Sequence, residues 1–384
     1  MDKIMRKKIL SYNLPYIGVE EIKEVINTLK SGWFTMGPKT IEFERLLARY
    51  IGAKYVVCVN SCTAALHLSL IALGIGKGDE VITTPFTFAA TANVILQVGA
   101  KPVFVDIKKS TYDIDPEQIE KAVTKRTKAI IPVDYAGQPC DIEAILDIAK
   151  KHNLFVIEDA AHAIGAEYKG KKIGTFATTT CFSFYATKNM TTGEGGTITT
   201  NNKKLAEKLK ILRLHGMSKD AWKRYSKKGS WYYEIEECGW KYNMTDIQAA
   251  LGIVQLKKLD KFNNIRRKYA QIYTRELKKL EDIITPYEKP NVKHVYYLYP
   301  ILLENYDRDK FIIKMARNGI QCSVHFIPLH LHPFYRKKFG FKKGDFPNAE
   351  WVYEREVSLP LYPKMKEKDI YRVIRTIKRI IKYE

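Results

Sequence analysis

The sequence predicts an α/β chain built on a doubly wound, mostly parallel sheet, and three observations carry that expectation. Seven short apolar, β-branched runs recur between residues 55 and 200, at 55–60, 80–85, 101–107, 128–135, 154–159, 178–186 and 196–200. Helical segments stand between several of them. The runs are continuously apolar rather than alternating, which is what strands covered on both faces require.

Before the first run, residues 18–29 (GVEEIKEVINTL) place Val19, Ile22, Val25, Ile26 and Leu29 at helical spacing, and SGW ends the pattern. Pro38 opens a second helix that Gly52 closes. Between the runs, TAALHLSLIALGIG, FTFAATANVILQVG, DPEQIEKAV and DIEAILDIAKKHN read as the crossover helices. Residues 245–248 (TDIQ) form a capping box for a helix ending in QLKKL, and a separate basic amphipathic helix is expected from Asp260 to about Leu280. The register then changes. VYYLYPILL, the helix DRDKFIIKMARNG, a strand-like QCSVHFIP and a final helix KDIYRVIRTIKRIIKY make a smaller α+β unit. No Pro/Gly/Ser-rich linker marks the junction, so a boundary near residue 256 is expected, with a large domain over 1–255 and a small C-terminal domain over 256–384.

The 384 residues suffice for two domains, and 46% hydrophobic content is ordinary for a globular chain. The start, MDKIMRKKILSYNLP, is basic without a following apolar block, so neither a secretory signal nor a targeting helix is expected. The longest uncharged stretch, around residues 55–77, contains Asn60, Ser61, Thr63 and His67, which is wrong for a bilayer span. A cytoplasmic protein with no membrane partner follows. Six scattered cysteines without a C-x-x-C pair read as reduced core residues. The net charge of +22 permits nucleic acid, acidic lipid or phosphorylated small molecules as partners. It is spread through mixed runs such as KKLDKFNNIRRKYAQIYTRELKKLE, the pattern of solvated helix faces, so no nucleic-acid partner is expected.

The chemistry concentrates in residues 173–200. Between Lys172 and Glu194 the only side chain charged at neutral pH is Lys188, although 28% of the chain is charged. It follows an apolar run and precedes Gly193, Gly195 and Gly196, which let backbone approach a ligand. Apolar surroundings disfavour an ammonium and so free the amine as a nucleophile or base; a surface lysine at a strand end is the ordinary alternative. Ligands of open α/β sheets sit at the carboxyl ends of strands, and one such end is Asp159. A lysine paired with an aspartate is what pyridoxal phosphate (PLP) chemistry needs, because the carboxylate keeps the ring nitrogen protonated; a helix cap is the alternative. After residues 55–60 a helix begins near Cys62 or Thr63, where free amides and the Thr63 hydroxyl could hold a phosphate. Phe86 and Phe88 are candidates to stack on a flat ring, and Ser183 is a second phosphate hydroxyl. His325, His330 and His332 suggest a metal at first sight, but the group lacks an acidic ligand and no metal is expected.

These segments are similar to those of the DegT-type nucleotide-sugar aminotransferases, fold-type I PLP enzymes, over nearly the whole chain. The resemblance rests on SGWFTMGPK, NSCTAALHL, GDEVITTPFTFAATAN, EDAAHAIGAEYKGKKIG, FSFYATKNMTTGEGG, KYNMTDIQAALGIVQL and SVHFIPLH. It implies that Lys188 binds the cofactor covalently as a Schiff base, Asp159 pairs with its ring nitrogen, and His162 contacts its ring hydroxyl. Phe88 would stack on the ring, while Cys62, Thr63 and Ser183 would reach its phosphate; Cys62 stands where Gly or Ala is common, which favours its amide over its side chain. Asn243 would come from the partner subunit of a homodimer with shared active sites. Trp33, Thr35, Lys39, His325 and His330 are substrate-contact candidates. The implied reaction is ping-pong: glutamate leaves its amino group as pyridoxamine phosphate, which then aminates a nucleotide-linked keto-sugar. The motif wording looks most like enzymes aminating UDP-4-keto-pentose and related UDP- or dTDP-4-keto-6-deoxyhexoses. Alternatives are another fold-type I PLP enzyme acting on a small amino acid, and a regulatory or nucleic-acid-binding relative without activity.

Overall fold

The computed structural model describes residues 9–218 and 232–382; residues 1–8 of the basic start, and Tyr383 in the last expected helix, lie outside them. In chain order the first strands are β1 (Tyr55–Val59), β2 (Glu80–Thr83), β3 (Lys101–Phe104), β4 (Thr127–Ile131), β5 (Phe155–Asp159), β6 (Glu167–Tyr168), β7 (Lys171–Lys172), β8 (Thr179–Ser183) and β9 (Gly196–Thr200). Seven of them form one sheet in the order β1-β9-β8-β5-β4-β2-β3, and these are the seven expected runs. Only β9 runs against its neighbours, pairing antiparallel with both β1 and β8. Several strands end earlier than their apolar runs: β4 stops at Ile131 and β8 at Ser183, and Val133 and Tyr185 just beyond them face a cavity.

Both faces of this sheet are covered, as the continuous apolar runs require. On one face Val57, Val59, Cys181 and Ile198 pack with the helix Cys62–Ala72. On the other, Val56, Cys58 and Phe182 pack with Phe43 and Leu47 of the helix Pro38–Ile51 and with Ile253 of the helix Asp246–Leu277. Beyond the large sheet come β10 (Ile283–Ile284), β11 (Val292–Lys293), β12 (Tyr299–Leu303) and β13 (Glu356–Leu359). Strands β10, β12 and β13 make a second, antiparallel sheet, and β11 joins the β6–β7 hairpin. The last helix, Glu367–Lys382, buries Ile370, Val373, Ile374, Ile377 and Ile380 in the second unit's core.

Two expectations change. The two helices expected after the capping box are one 32-residue helix, Asp246–Leu277, capped by Thr245 and Gln248. No Gly or Pro separates Leu259 from Asp260, so nothing interrupts the hydrogen-bond ladder there. Residue 256 therefore lies inside a helix: Ala249, Ile253, Leu256 and Leu259 belong to the large unit's core, Tyr269, Ala270, Tyr273 and Leu277 to the small unit's. Leu10 also joins the small unit, pairing with Ile320. The strand expected in QCSVHFIP is instead a segment with one isolated bridge, at Ser323, and another just before it at Ile320. The His325 amide is taken by the Glu356 carboxylate at 2.8 Å, and Pro328 has no amide to give to a ladder.

Gly252 sits in mid-helix, where glycine costs about 1 kcal/mol of propensity. A Cβ there would lie 2.5 to 2.9 Å from ring atoms of the fully buried Phe43. The missing side chain lets the helices Pro38–Ile51 and Asp246–Leu277 cross closely. Gly252→Ala gains propensity but overpacks a rigid ring, at a cost of about 1 to 3 kcal/mol. A lower melting temperature in calorimetry is expected; a higher one would contradict this close crossing.

Candidate active site

The carboxyl ends of β1, β2, β4, β5 and β8, with the glycines leading into β9, surround a cavity of about 520 Å³. Eight of the thirteen residues singled out from the sequence line it: Cys62, Thr63, Phe88, Asp159, His162, Ser183, Lys188 and His325. Lys188 and Asp159 thus face one space from adjacent parallel strands.

Asp159 ends β5 and is buried. Burial pushes its carboxyl above the usual range, against the Thr91 hydroxyl at 2.8 Å, the Ala161 amide at 3.3 Å and the nearby Lys188 charge. The half-buried Lys188 rests its Nζ 4.3 Å from the centre of the Tyr297 ring. His162 packs on the same tyrosine at 4.3 Å, its ring tilted by 36°, and its buried Nδ1 has no partner among the described residues. Burial, Lys188 and His325 hold that imidazole well below its ordinary pKa, so it is neutral. Phe86 and Phe88 separate clearly: Phe86 is core at 0% exposure, whereas Phe88 is 63% exposed and offers a ring face to the cavity.

Ser61 caps the helix Cys62–Ala72 by accepting from the Ala64 amide at 3.1 Å. The amides of Cys62 and Thr63 belong to the first turn, where helices leave donors unpaired. Thr63 is exposed to the cavity, while burial pushes the Cys62 thiol well up and keeps it neutral. Gly196 passes so close to this turn that a Cβ would lie 2.5 Å from the Cys62 nitrogen. Ser183, at the end of β8, accepts from the Tyr185 amide at 3.3 Å.

The other five predicted residues lie elsewhere. Trp33, Thr35, Lys39 and Asn243 gather around the start of the helix Asp246–Leu277. The buried Asp246 carboxylate accepts from the amides of Gly37, Lys39 and Thr40, its own amide donates to the Thr35 carbonyl, and Trp33 lies against Gly37. The Lys39 ammonium pairs with Glu24 at 2.6 Å. Asn243 reaches Thr35 Oγ1 at 3.5 Å, and its Oδ1 has no partner among the described residues. His330, expected near the substrate, is instead fully buried, because its Nε2 is held by Glu350 at 2.8 Å and its ring packs on Phe346.

Several cavity residues were not singled out from the sequence, among them Tyr12, Thr91, Tyr297 and Phe326. Thr91 and Phe326 lay within quoted motifs, and their closeness to Phe88 and His325 was the available signal; Tyr12 and Tyr297 had none, since in sequence they are indistinguishable from core. Among the described residues the group with metal-ligand spacing is Asp134, Cys140 and Glu158. Glu158 neighbours Asp159 on β5 and so points to the opposite face of the sheet from the cavity.

A flat ring with a protonated nitrogen and a phosphate matches what these residues leave unmet: a buried carboxylate, an unpaired imidazole nitrogen, an exposed phenyl face and open amides at a helix start.

The profile of the DegT/DnrJ/EryC1/StrS aminotransferase family matches residues 15–378. The spore coat polysaccharide biosynthesis protein SpsC of Bacillus subtilis is 51% identical over 382 residues, covering 98% of each chain. The putative sugar aminotransferase Spr1654 from Streptococcus pneumoniae, solved in its PMP-form, superposes with a TM-score of 0.92 at 37% identity, over 97% of this chain and 99% of that one. Its PLP-form superposes with a TM-score of 0.91. Helicobacter pylori PseC, an aminotransferase involved in the biosynthesis of pseudoaminic acid, gives a TM-score of 0.91 at 33% identity, over 98% of this chain and 100% of that one.

Gly196→Ala places a methyl against backbone and must displace the first turn of the helix Cys62–Ala72. Cofactor titration followed by absorbance is expected to show PLP binding weakened by about tenfold, one charge-assisted hydrogen bond's worth. Unchanged affinity in a folded variant would remove that turn from the phosphate site.

Proposed function

The chain belongs to the DegT/DnrJ/EryC1/StrS aminotransferase family, and from that premise we propose that this PLP-dependent sugar aminotransferase moves an amino group from glutamate to a UDP- or dTDP-linked 4-keto-sugar. The observation that supports it most is the convergence of Lys188 and Asp159 on one cavity beside an open helix N-terminus. SpsC is named for polysaccharide biosynthesis and PseC for pseudoaminic acid, which favours a sugar destined for a glycan.

PLP bound here would supply an electrophilic carbon for amines and a ring that holds the electron pair released at carbon. Lys188 Nζ is assigned its covalent attachment. As a free amine, Nζ would take the proton from the donor's α-carbon and return one later. Asp159 holds the ring-nitrogen proton; its burial, which raises the free carboxyl, makes that ion pair strong. His162, neutral and with a free Nδ1, is assigned the ring hydroxyl. The amides of Cys62 and Thr63, with the hydroxyls of Thr63 and Ser183, are assigned the phosphate, and Phe88 covers the ring.

A homodimer accounts for four of the five residues outside the cavity. The helix Val19–Ser31 exposes Val19, Ile22, Ile26 and Leu29 along one face, with Phe34 and Ile41 nearby. A second copy covering that apolar face would bring Asn243, Trp33, Thr35 and Lys39 to its partner's cavity. The six cysteines are all free, which suits the cytoplasm, where nucleotide sugars are met.

Borohydride is expected to abolish a visible absorption band and to add the cofactor's mass to Lys188; a colourless protein would overturn the PLP assignment. Glutamate with a panel of UDP-, dTDP- and GDP-4-keto-sugars, followed by product mass, identifies the substrate, and turnover of small amino acids alone would overturn the sugar. Mixing inactive Lys188→Ala and Asn243→Ala dimers under exchange conditions is expected to restore about a quarter of wild-type activity, since half the dimers then hold one intact site of two. No recovery, with exchange demonstrated, would place Asn243 in its own chain's site or in none.

A further inference from the structure

His325 is held more firmly than a substrate contact on an extended loop requires. Its amide donates to Glu356 Oε2 at 2.8 Å, its ring Nδ1 lies 3.0 Å from Ser358 Oγ, and Ser358 Oγ lies 2.5 Å from Glu356 Oε1. Glu356 and Ser358 are both fully buried on β13, and Ser323 and Ser358 exchange backbone hydrogen bonds that pin the loop beside the strand. With Nδ1 turned to Ser358, the ring's Nε2 is left for the cavity that His325 lines. Two side chains thus connect a buried carboxyl to the cavity edge.

We propose that Glu356, Ser358 and His325 form a proton relay in which Glu356 sets the tautomer that His325 presents to the substrate. The hydrogen-bond chain has two self-consistent states. With Glu356 ionised, Ser358 donates to it and accepts from Nδ1–H, so Nε2 faces the cavity as an acceptor. With Glu356 protonated, the carboxyl donates to Ser358, Ser358 donates to Nδ1, and Nε2–H faces the cavity as a donor.

The surroundings favour the donor state at neutral pH. Burial pushes Glu356 up to about 8, and His325 itself is held down at about 4 by burial and by Lys188, so its ring is neutral throughout. Among the described residues, the titratable groups around Glu356 are Tyr12, Tyr112, Tyr135 and Cys322, each raised by burial and neutral, with the Arg308 cation also acting on it.

The relay moves a proton without moving heavy atoms. His325 gives its Nε2 proton to an oxygen in the cavity, Ser358 gives its proton to Nδ1, and Glu356 gives its proton to Ser358 and becomes a carboxylate. Reversal restores all three. Amination of a ketone expels the carbonyl oxygen as water, and that oxygen must be protonated; this use of the relay rests on the sugar-aminotransferase reading above. His325 would touch the substrate, while Glu356 and Ser358 are positioning residues acting through it.

The test is long-range proton–nitrogen NMR of the PLP-loaded enzyme labelled with ¹⁵N-histidine, with the His325 signals assigned by their loss in His325→Asn. The wild type is expected to show the Nε2–H form at neutral pH and the Nδ1–H form once pH passes about 8. Glu356→Gln, whose amide donates at every pH, should hold Nε2–H throughout and remove the alkaline limb of the kcat profile. Ser358→Ala should uncouple the tautomer from pH and lower kcat by about 10-fold or more with a smaller change in KM, and Ser358→Thr should recover both. A tautomer that ignores pH in the wild type, or an unchanged alkaline limb in Glu356→Gln, overturns the relay. The NMR arm needs no sugar, so failure of the proposed amination would leave it decisive, and failure of the relay would leave the amination assay standing.

Discussion

The constraint on which the site depends is a carboxylate placed in a low-dielectric interior at the end of a central strand. Asp159 is enclosed by β5, β8 and the helix Ala89–Gln97 that follows β2, and an ionised group there is costly unless donors or a cation meet it. Thr91 and the Ala161 amide meet part of its demand, and the Lys188 charge a smaller part. The remainder is a standing preference for a cation in the cavity. Cavity residues such as His162, Tyr297 and Phe88 add stacking surface and an unpaired nitrogen. A protonated aromatic nitrogen is what this arrangement stabilises best.

The fold was legible because strands buried on both faces leave long apolar runs, and all seven runs entered one sheet. The site was legible for a related reason: in such a sheet chemistry sits where an apolar run gives way to a polar residue. Asp159, Ser183 and Ser61–Thr63 stand at such breaks. Tyr297, Tyr12 and Phe326 do not, since they reach the cavity from the second unit through folding of the chain, and an aromatic side chain reads the same in a core as over a ligand. His330 shows the converse. Its motif neighbours His325, yet a single turn, Leu329–Leu331, and the bond to Glu350 draw it into the core.

The helix Asp246–Leu277 hid its length from the sequence because its amphipathic face changes partner midway. Its first half packs on the large sheet and its second on the small one, so no single apolar stripe marks the whole. The capping box was readable because it is local: Thr245 and Gln248 need only each other. Asp246, one residue on, was not, because its partners at Gly37, Lys39 and Thr40 are distant in sequence.

This helix also bears on how the cavity keeps its shape. The sheet ends supply one wall; Tyr297, His325 and Phe326 supply the other. A hinge between two units would let the walls drift, and preorganised groups lose their effect over about 1 Å of misplacement. Here the connection is an unbroken helix, crossed tightly by Phe43 where Gly252 leaves room, and backed by an aromatic seam in which Phe86 and Tyr135 of the large unit pack with Tyr297, Tyr335 and Phe346 of the small one. Tyr135 extends that seam to the site, its hydroxyl donating to the His325 carbonyl. The ring that faces the cavity is therefore gripped at its carbonyl by the large unit and at its amide and Nδ1 by the small one, so the two units can separate only by breaking the bonds that aim His325.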